Sequence, residues 1–237
     1  MVESTEPRTL ADWGLAARPG RRAHLRIVAL WTGIPLALAF VVAVTFSWWA
    51  GLVVAGVAAV ALTGGPLLRL KRLARRFDGA TAVPGSEPRL ENLVRGLSRD
   101  HQLVLPRTVV LESAPPNAYV SRPLVGTPVL AISRSYLGVL SRTELEGVVA
   151  HCLVRLDSAD ARAATMADLL GTGGARIAPK VGFSDDIRAA SLTRYPPGLS
   201  SAIRKAVPAA GSAPLWFVAD GPTHRTVTQR TEELGDL

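Results

Sequence analysis

Hydrophobic and polar positions divide the chain into two unlike parts. Between Ile27 and Leu68 there is no Asp, Glu, Lys or Arg, whereas charged and apolar residues are interspersed after this block. A continuous helix over the charge-free block would extend about 63 Å, roughly twice the ~30 Å of a bilayer's hydrocarbon core. The pattern therefore predicts two membrane spans, at about residues 27–46 and 48–68, joined by a tight turn.

A cleaved secretory signal is the alternative interpretation of the apolar block. The block is far longer than the apolar core of a signal, and no small-residue cleavage pattern leads from it into a mature domain. In the second span, small residues recur at every fourth position, at Gly51, Ala55, Ala59 and Thr63. Such a stripe lets a neighbouring helix approach closely, most simply the first span, unless it reflects only the frequency of Gly and Ala in membrane helices.

Basic residues flank both ends of the predicted hairpin. They are Arg18, Arg21, Arg22 and Arg26 before it, and Arg69, Lys71, Arg72, Arg75 and Arg76 after it. Since basic flanks remain on the cytoplasmic side, both termini are expected in the cytoplasm of a multi-pass cell-membrane protein. The predicted organisation is an N-terminal tail (1–26), a hairpin (27–68), a basic juxtamembrane segment and linker (69–88) and a cytoplasmic domain (89–237).

Within that domain, apolar spacing predicts a mixture of helices and short strands. Leu90, Leu93, Val94 and Leu97 lie at helical spacing, and β-branched runs predict strands at 108–113 and 128–133. The segment between these strands is a turn-rich connection or an irregular edge strand. Further expected elements are one long helix over 141–170, helices at about 184–193 and 199–206, a strand within 213–221 and a terminal helix over 223–234.

The net charge of +8 raises the question of nucleic-acid binding. The basic flanks account for the excess as membrane topology and contact with anionic lipid. There is no aromatic–basic interleaving and no nucleic-acid fold signature, so nucleic acid is not an expected partner. The single cysteine excludes an internal disulfide and agrees with a reducing compartment.

The candidate chemistry lies in "ELEGVVAHCLVRL", residues 144–156. A zinc protease helix carries His-Glu-x-x-His, with two imidazoles one turn apart and a glutamate as general base. The same frame here holds His151, then Cys152 in place of the glutamate and Arg155 in place of the second histidine. The motif is therefore either degenerate, rebuilt for other chemistry, or part of an ordinary helix.

Four segments in order behind the predicted hairpin resemble the HtpX-type and CAAX-prenyl-protease-type integral-membrane zinc metallopeptidases. "PPNAYVSR" resembles the family's edge segment beside the substrate cleft, and "PVLAISRSYLGVLSRTELEGVVAH" resembles the run into its metal helix. "GFSDDIRAA" resembles the helix that supplies the third zinc ligand. "LWFVADGPTHRTVTQRTEEL" resembles the closing segment, with His224 and Arg230 at matching spacing.

The resemblance implies a zinc site that this sequence does not supply. By position, His151 matches the first ligand and Asp186 an aspartate beside the metal site, while Gly182 replaces the third ligand and Arg155 the second. One imidazole does not hold catalytic zinc, a guanidinium repels it, and a thiol at Cys152 does not replace the general base. No catalytic residue is therefore expected, and His151 is at most a remnant metal ligand.

Several residues keep two interpretations. Arg155 is either an internal cation paired with Asp186 or Asp185, or a solvent-reaching residue on a polar helix face. Asn117, Ala118 and Tyr119 form either a peptide-docking edge or a structural turn. His151 is either a hydrogen-bonded core histidine or a metal ligand with unconventional partners.

The sequence thus predicts an α+β fold, a mainly helical zincin-like domain with a small sheet below a two-helix membrane hairpin. The expected function is that of a membrane-anchored pseudoprotease, without cofactor, that binds a partner or peptide or regulates an active paralogue. The alternative is an active zinc metalloendopeptidase with a rebuilt metal site. A membrane structural subunit is a third possibility.

Overall fold

The computed structural model describes residues 20–45, 48–60, 68, 80–82, 87–123, 126–169, 178, 183–210, 215–221 and 224–237. The predicted hairpin corresponds to helix α1 (Gly20–Thr45) and a helical segment α2 (residues 48–60). Among the described residues, no helix combines the length and the apolarity that crossing a bilayer requires. The turn was predicted at "SWWAG", residues 47–51, but residues 48–51 are already helical. Ser47, the end of the second span, most of the N-terminal tail and the basic residues 69–76 lie outside the described part.

The two N-terminal helices approach each other closely at a glycine. A Cβ atom built on Gly51 would lie 2.6 Å from the Cβ of Ala43 and 2.7 Å from the carbonyl oxygen of Ala39, so only glycine fits at this position. Of the small-residue stripe predicted to contact the first helix, Gly51 makes this contact, with Ala39 and Ala43. Helix α1 also contacts helix α6 (Ala159–Leu169) of the following domain.

The domain that follows the two N-terminal helices contains a four-stranded mixed sheet. Its strands are β1 (Ala80–Ala82), β2 (Arg107–Leu111), β3 (Ala118–Ser121) and β4 (Val129–Ser133), in the order β1-β2-β4-β3. The pair β2–β4 is parallel and the other two pairs are antiparallel. The α+β class is confirmed. The connection between the two predicted strands contains β3, and the segment predicted as a linker contributes β1.

The remaining helices lie against this sheet and one another. They are α3 (Pro88–Asp100), α4 (Arg134–Val139), α5 (Arg142–Asp157), α6, α7 (Phe183–Thr193), α8 (Pro196–Lys205) and α9 (Val227–Gly235). The prediction of one helix over 141–170 is wrong, because the chain leaves helical geometry at Ser158, whose φ and ψ are −66° and 150°. The Ser158 hydroxyl donates to the carbonyl of Arg155, which satisfies an acceptor at the end of α5.

Helix α5 is the centre of the domain. Most of its residues are buried, and it packs against α3, α7, α8 and β3. Its first turn is fixed by a capping box between Ser141 and Glu144, and the Glu144 carboxylate also accepts hydrogen bonds from Ser201 and Lys205 of α8. At Gly147, a built Cβ would lie 3.0 Å from the Cα of Leu199, so α5 and α8 are in close contact. The motif residues on α5 are therefore held inside the core.

Candidate functional site

The degenerate motif lies on the buried part of α5. The side chain of His151 has no exposed surface, and Cys152 and Arg155 are buried with it. Burial raises the pKa of the Cys152 thiol to about 12, although the charges of Arg155 and Arg230 act in the opposite direction. A thiol with that pKa carries almost no negative charge near neutral pH. Cys152 is thus a small buried apolar group without base or nucleophile character.

Asp186, in the first turn of α7, is the most strongly bound charged residue of the site. Arg230 of α9 donates from Nε to Oδ2 at 2.8 Å and from Nη2 to Oδ1 at 2.7 Å, a forked and fully buried pair. Burial opposes ionisation of Asp186, but the Arg230 charge and then His151 hold the pKa of this carboxyl well below its usual range. Arg230 also donates from Nη1 to the carbonyl of Phe217 at 2.7 Å.

His151 touches this pair without a well-formed hydrogen bond. Its Nδ1 lies 2.8 Å from Oδ1 of Asp186, a close polar contact, and Nε2 has no hydrogen-bond partner among the described residues. The ring instead packs edge-on against Phe217, with ring centroids 4.9 Å apart. His151 is therefore a core residue held by Asp186 and Phe217, with one buried nitrogen left over.

Arg155 pairs with the neighbouring carboxylate. Its Nη1 lies 3.6 Å from Oδ2 of Asp185, and the Asp185 side chain is 15 % exposed. Burial lowers the pKa of Arg155, and Asp185 partly restores it, so that the guanidinium remains charged at neutral pH. The expectation that Arg155 is an internal cation agrees with this geometry, and Asp185 rather than Asp186 is its partner. The alternative of a solvent-reaching Arg155 does not fit a side chain that is 6 % exposed.

His224 lies near enough to the site for the charge of Arg155 to act on it. Its Nε2 is 2.9 Å from the carbonyl oxygen of Trp216. Burial and then the charge of Arg155 lower the pKa of His224 to about 3, so the ring is neutral and the Nε2 proton is donated to that carbonyl. A protonated Nε2 has no lone pair with which to bind a metal ion.

The predicted peptide edge is occupied by the chain itself. On the edge of β3 away from β4, the amide of Val120 donates to Leu215 at 2.9 Å, and the amide of Phe217 donates to Ala118 at 2.8 Å. Tyr119 pairs with Trp216 across this junction, with ring centroids 5.5 Å apart at 70°. The strand predicted within 213–221 is thus a short bridge at the β3 edge.

Asn117 fixes the base of this junction. Its Nδ2 donates to the carbonyls of Val207 and Val218 at 2.8 and 2.7 Å, and its Oδ1 accepts from the amides of Ala118 and Val218. Every polar position of the amide is in use, so Asn117 is available to stabilise the loop but not to bind a peptide backbone. Sequence reasoning missed Phe217, because an apolar run such as "LWFV" predicts a strand but not its neighbour.

The site does not fit the zinc that the resemblance implies. Among the described residues, no group of three His, Cys, Asp or Glu side chains converges as metal ligands would. Gly182 lies outside the described part. What is observed at the ligand frame is a guanidinium, which has no electron pair to donate, and a carboxylate whose charge is already compensated by Arg230.

The chain is similar to proteins that are named protease HtpX homologues. It is 28 % identical over 162 residues to the one of Dictyoglomus turgidum, covering 50 % of this chain and 53 % of that one. It is 31 % identical over 121 residues to the one of Salinibacter ruber, covering 51 % and 44 %. It is 34 % identical over 90 residues to the one of Thermodesulfovibrio yellowstonii, covering 38 % and 32 %.

No protein-family model matches the sequence. The chain spans about half the length, or less, of these curated relatives.

Proposed function

Because the chain belongs to an HtpX-type family, we propose that it is a membrane-anchored member that has lost zinc and proteolytic activity and acts by binding a partner or peptide. The observation that carries this proposal is the buried guanidinium of Arg155 at the position of the second histidine. A cation at that place repels a divalent metal, and Asp185, 3.6 Å from Nη1, compensates its charge.

The position of the general base supports the same conclusion. Hydrolysis requires a group that takes a proton from water and has a pKa near the working pH. Cys152 is buried, and its pKa of about 12 leaves it protonated. Asp186 does not replace Cys152 as the base, because both of its carboxylate oxygens already accept hydrogen bonds from Arg230.

The N-terminal helices supply the proposed membrane anchor. Many of the large apolar side chains described on these helices are exposed, among them Phe40 at 70 % and Val44 at 71 %. Contiguous exposed apolar surface of this kind marks a contact with lipid or another protein. With the basic flanks, it supports a hairpin in the cell membrane and a cytoplasmic domain. Tags at both termini should be protected from external protease in intact cells, and accessibility of either tag would contradict this topology.

An active zinc metalloendopeptidase is the second candidate. One observation favours it: the buried Nε2 of His151 has no partner among the described residues, as expected for a nitrogen that binds something absent from the chain. Zinc would then polarise a peptide carbonyl or a water, but the described residues supply His151 alone from the family's ligand frame. The electrostatic arrangement around Arg155 weighs against this candidate.

Cleavage of an unfolded substrate tests the proposal. Full-length protein purified in detergent should leave casein intact in the presence of zinc, with and without a chelator. The matched preparation for contaminating proteases is His151→Ala, and a variant restoring the family's residues, Cys152→Glu with Arg155→His and Gly182→Glu, tests whether activity can be regained. Chelator-sensitive cleavage by the natural sequence, absent from a His151→Ala preparation, would contradict the proposal.

A further inference from the structure

We propose that Arg122 and Arg162, at the end of the domain that packs against α1, form a binding site for the phosphate group of an anionic membrane lipid. The inference rests on the membrane anchor of the proposed function, because an anchored domain holds this site beside the bilayer. It extends that function by giving the domain after the hairpin its own contact with the membrane surface.

Helix α5 joins two opposite ends of the domain. It begins at Arg142, and at its other end the carbonyl of Leu156 accepts a hydrogen bond from Nη1 of Arg122, the residue that follows β3. At 1.5 Å per residue, Arg142 and Leu156 lie about 21 Å apart along the helix. The chain continues from the second end into α6, which contacts helix α1 of the proposed membrane anchor. Arg122 is therefore on the side of the domain next to the hairpin.

The fold brings two arginines from separate elements together at this end. The amide of Arg122 donates to the hydroxyl of Thr165 on α6 at 2.9 Å. Arg162 lies three residues before Thr165 on the same helix, a spacing that makes the two side chains neighbours on the helix surface. Arg122 is partly buried, whereas Arg162 is exposed although α6 is buried from residue 163 to 167. Two guanidinium groups, one of them open to the surface, therefore lie beside the hairpin.

The charges of these two arginines repel each other. Burial and then the charge of Arg162 lower the pKa of Arg122, and Asp157 offsets this only in part. Within the described part of the chain, neither guanidinium forms an ion pair with a carboxylate. An anion bound between them would remove the repulsion, and guanidinium groups match the oxygens of a phosphate in geometry as well as charge. The pair therefore favours a phosphate group as its ligand.

The contact between α6 and α1 indicates where that phosphate comes from. Helix α1 begins at Gly20, and its first two turns carry Arg21, Arg22 and Arg26, directly before the charge-free block. In the proposed topology these residues lie at the negatively charged surface of the cytoplasmic leaflet. Because α6 belongs to the cytoplasmic domain, it contacts α1 outside the hydrocarbon core, at the level of the lipid headgroups. A lipid phosphate is therefore the anion that this site meets.

Anionic lipid should stabilise the natural protein through Arg162. The probe is phosphatidylglycerol added to full-length protein in non-ionic detergent, with phosphatidylcholine as the comparison, and the measurement is the melting temperature. Phosphatidylglycerol should raise the melting temperature more than phosphatidylcholine does, and Arg162→Ala should lose at least half of that difference. Arg162→Gln, which keeps a polar side chain without the charge, should lose the same share. Arg122 is left unchanged because its bond to Leu156 also stabilises α5.

The matched control is Arg142→Ala, at an exposed arginine on the opposite end of α5, which should retain the full effect of the lipid. An undiminished effect in both Arg162 variants, an equal loss in Arg142→Ala, or no effect on the natural protein would overturn the proposal. Inorganic phosphate at the same concentration should not replace the lipid, and an equal rise with it would overturn the assignment to a lipid. Accessibility of the terminal tags and cleavage of casein report separately on the proposed function.

Discussion

Two neighbouring aspartates on α7 bind two arginines in different ways. Asp186 is 2 % exposed and is forked by Arg230 at 2.7 and 2.8 Å, whereas Asp185 is 15 % exposed and lies 3.6 Å from Arg155. The first pair joins α7 to α9 and is inaccessible to water; the second joins α7 to α5 at the edge of the core. The comparison indicates that Arg230 with Asp186 maintains the fold, while Arg155 is the added cation of the degenerate motif.

The largest expected effect follows from breaking the buried pair. Arg230→Ala or Asp186→Ala leaves an uncompensated buried charge and should lower the free energy of unfolding by about 3–5 kcal/mol. In a double-mutant cycle on full-length protein in detergent, the two substitutions should be strongly non-additive, because each removes the same pair. Additive effects would contradict the view that Arg230 and Asp186 act as one unit.

A smaller effect is expected at the other pair. Arg155→Ala removes a longer and partly hydrated ion pair and should lower the free energy of unfolding by about 1–3 kcal/mol. The matched control is Arg95→Ala, which removes an exposed pair with Glu91 at 3.9 Å and should cost below about 0.5 kcal/mol. In double-mutant cycles, the interaction energy of Arg155 with Asp185 should be larger than that with Asp186. Equal losses for Arg155→Ala and Arg95→Ala would make Arg155 a surface residue.

The smallest effect concerns His224 and pH. Its folded-state pKa of about 3 lies below the ordinary value of 6.5, so the stability it contributes is complete above pH 6.5 and decreases as pH falls toward 3. Between pH 7 and pH 6 this single group should cost about 0.7 kcal/mol. Thermal melts at the two pH values should show a smaller difference for His224→Gln than for the natural protein.

Because the charge of Arg155 contributes to the low pKa of His224, Arg155→Ala should also reduce the pH difference. A natural protein equally stable at both pH values would contradict the neutral state of His224. This experiment also reports on the segment around Trp216, since the His224 ring donates to the Trp216 carbonyl.

Local order was largely predictable from the sequence, and long-range pairing was not. The placement of His151, Cys152 and Arg155 on one helix follows from helical periodicity. The strands near 108–113 and 128–133 follow from β-branched runs. The helix break at Ser158 was missed because Ser-Ala-Asp after α5 fits both a helix interior and a new N-terminus. The sequence offered two aspartates as partners of Arg155, with no local signal to choose between them.

The partners of Arg230 and Phe217 could not be derived from the residues around them. Arg230 lies 44 positions after Asp186 in the sequence. The resemblance identified Arg230 by its spacing from His224 but did not indicate which residue it pairs with. Phe217 reaches His151 only because its segment adds to the edge of β3, and strand pairing depends on distant parts of the chain rather than on local propensity. For that reason, the pairing of residues 215–217 with the edge of β3 can be recognised only in the folded structure.

Zinc content tests the central claim most directly, namely that the guanidinium of Arg155 has replaced a metal. Full-length protein, purified without chelators from cells supplied with zinc, should contain far less than one zinc per chain by elemental analysis, and added zinc should not raise its melting temperature. About one tightly held zinc per chain, lost from a His151→Ala variant, would contradict the account.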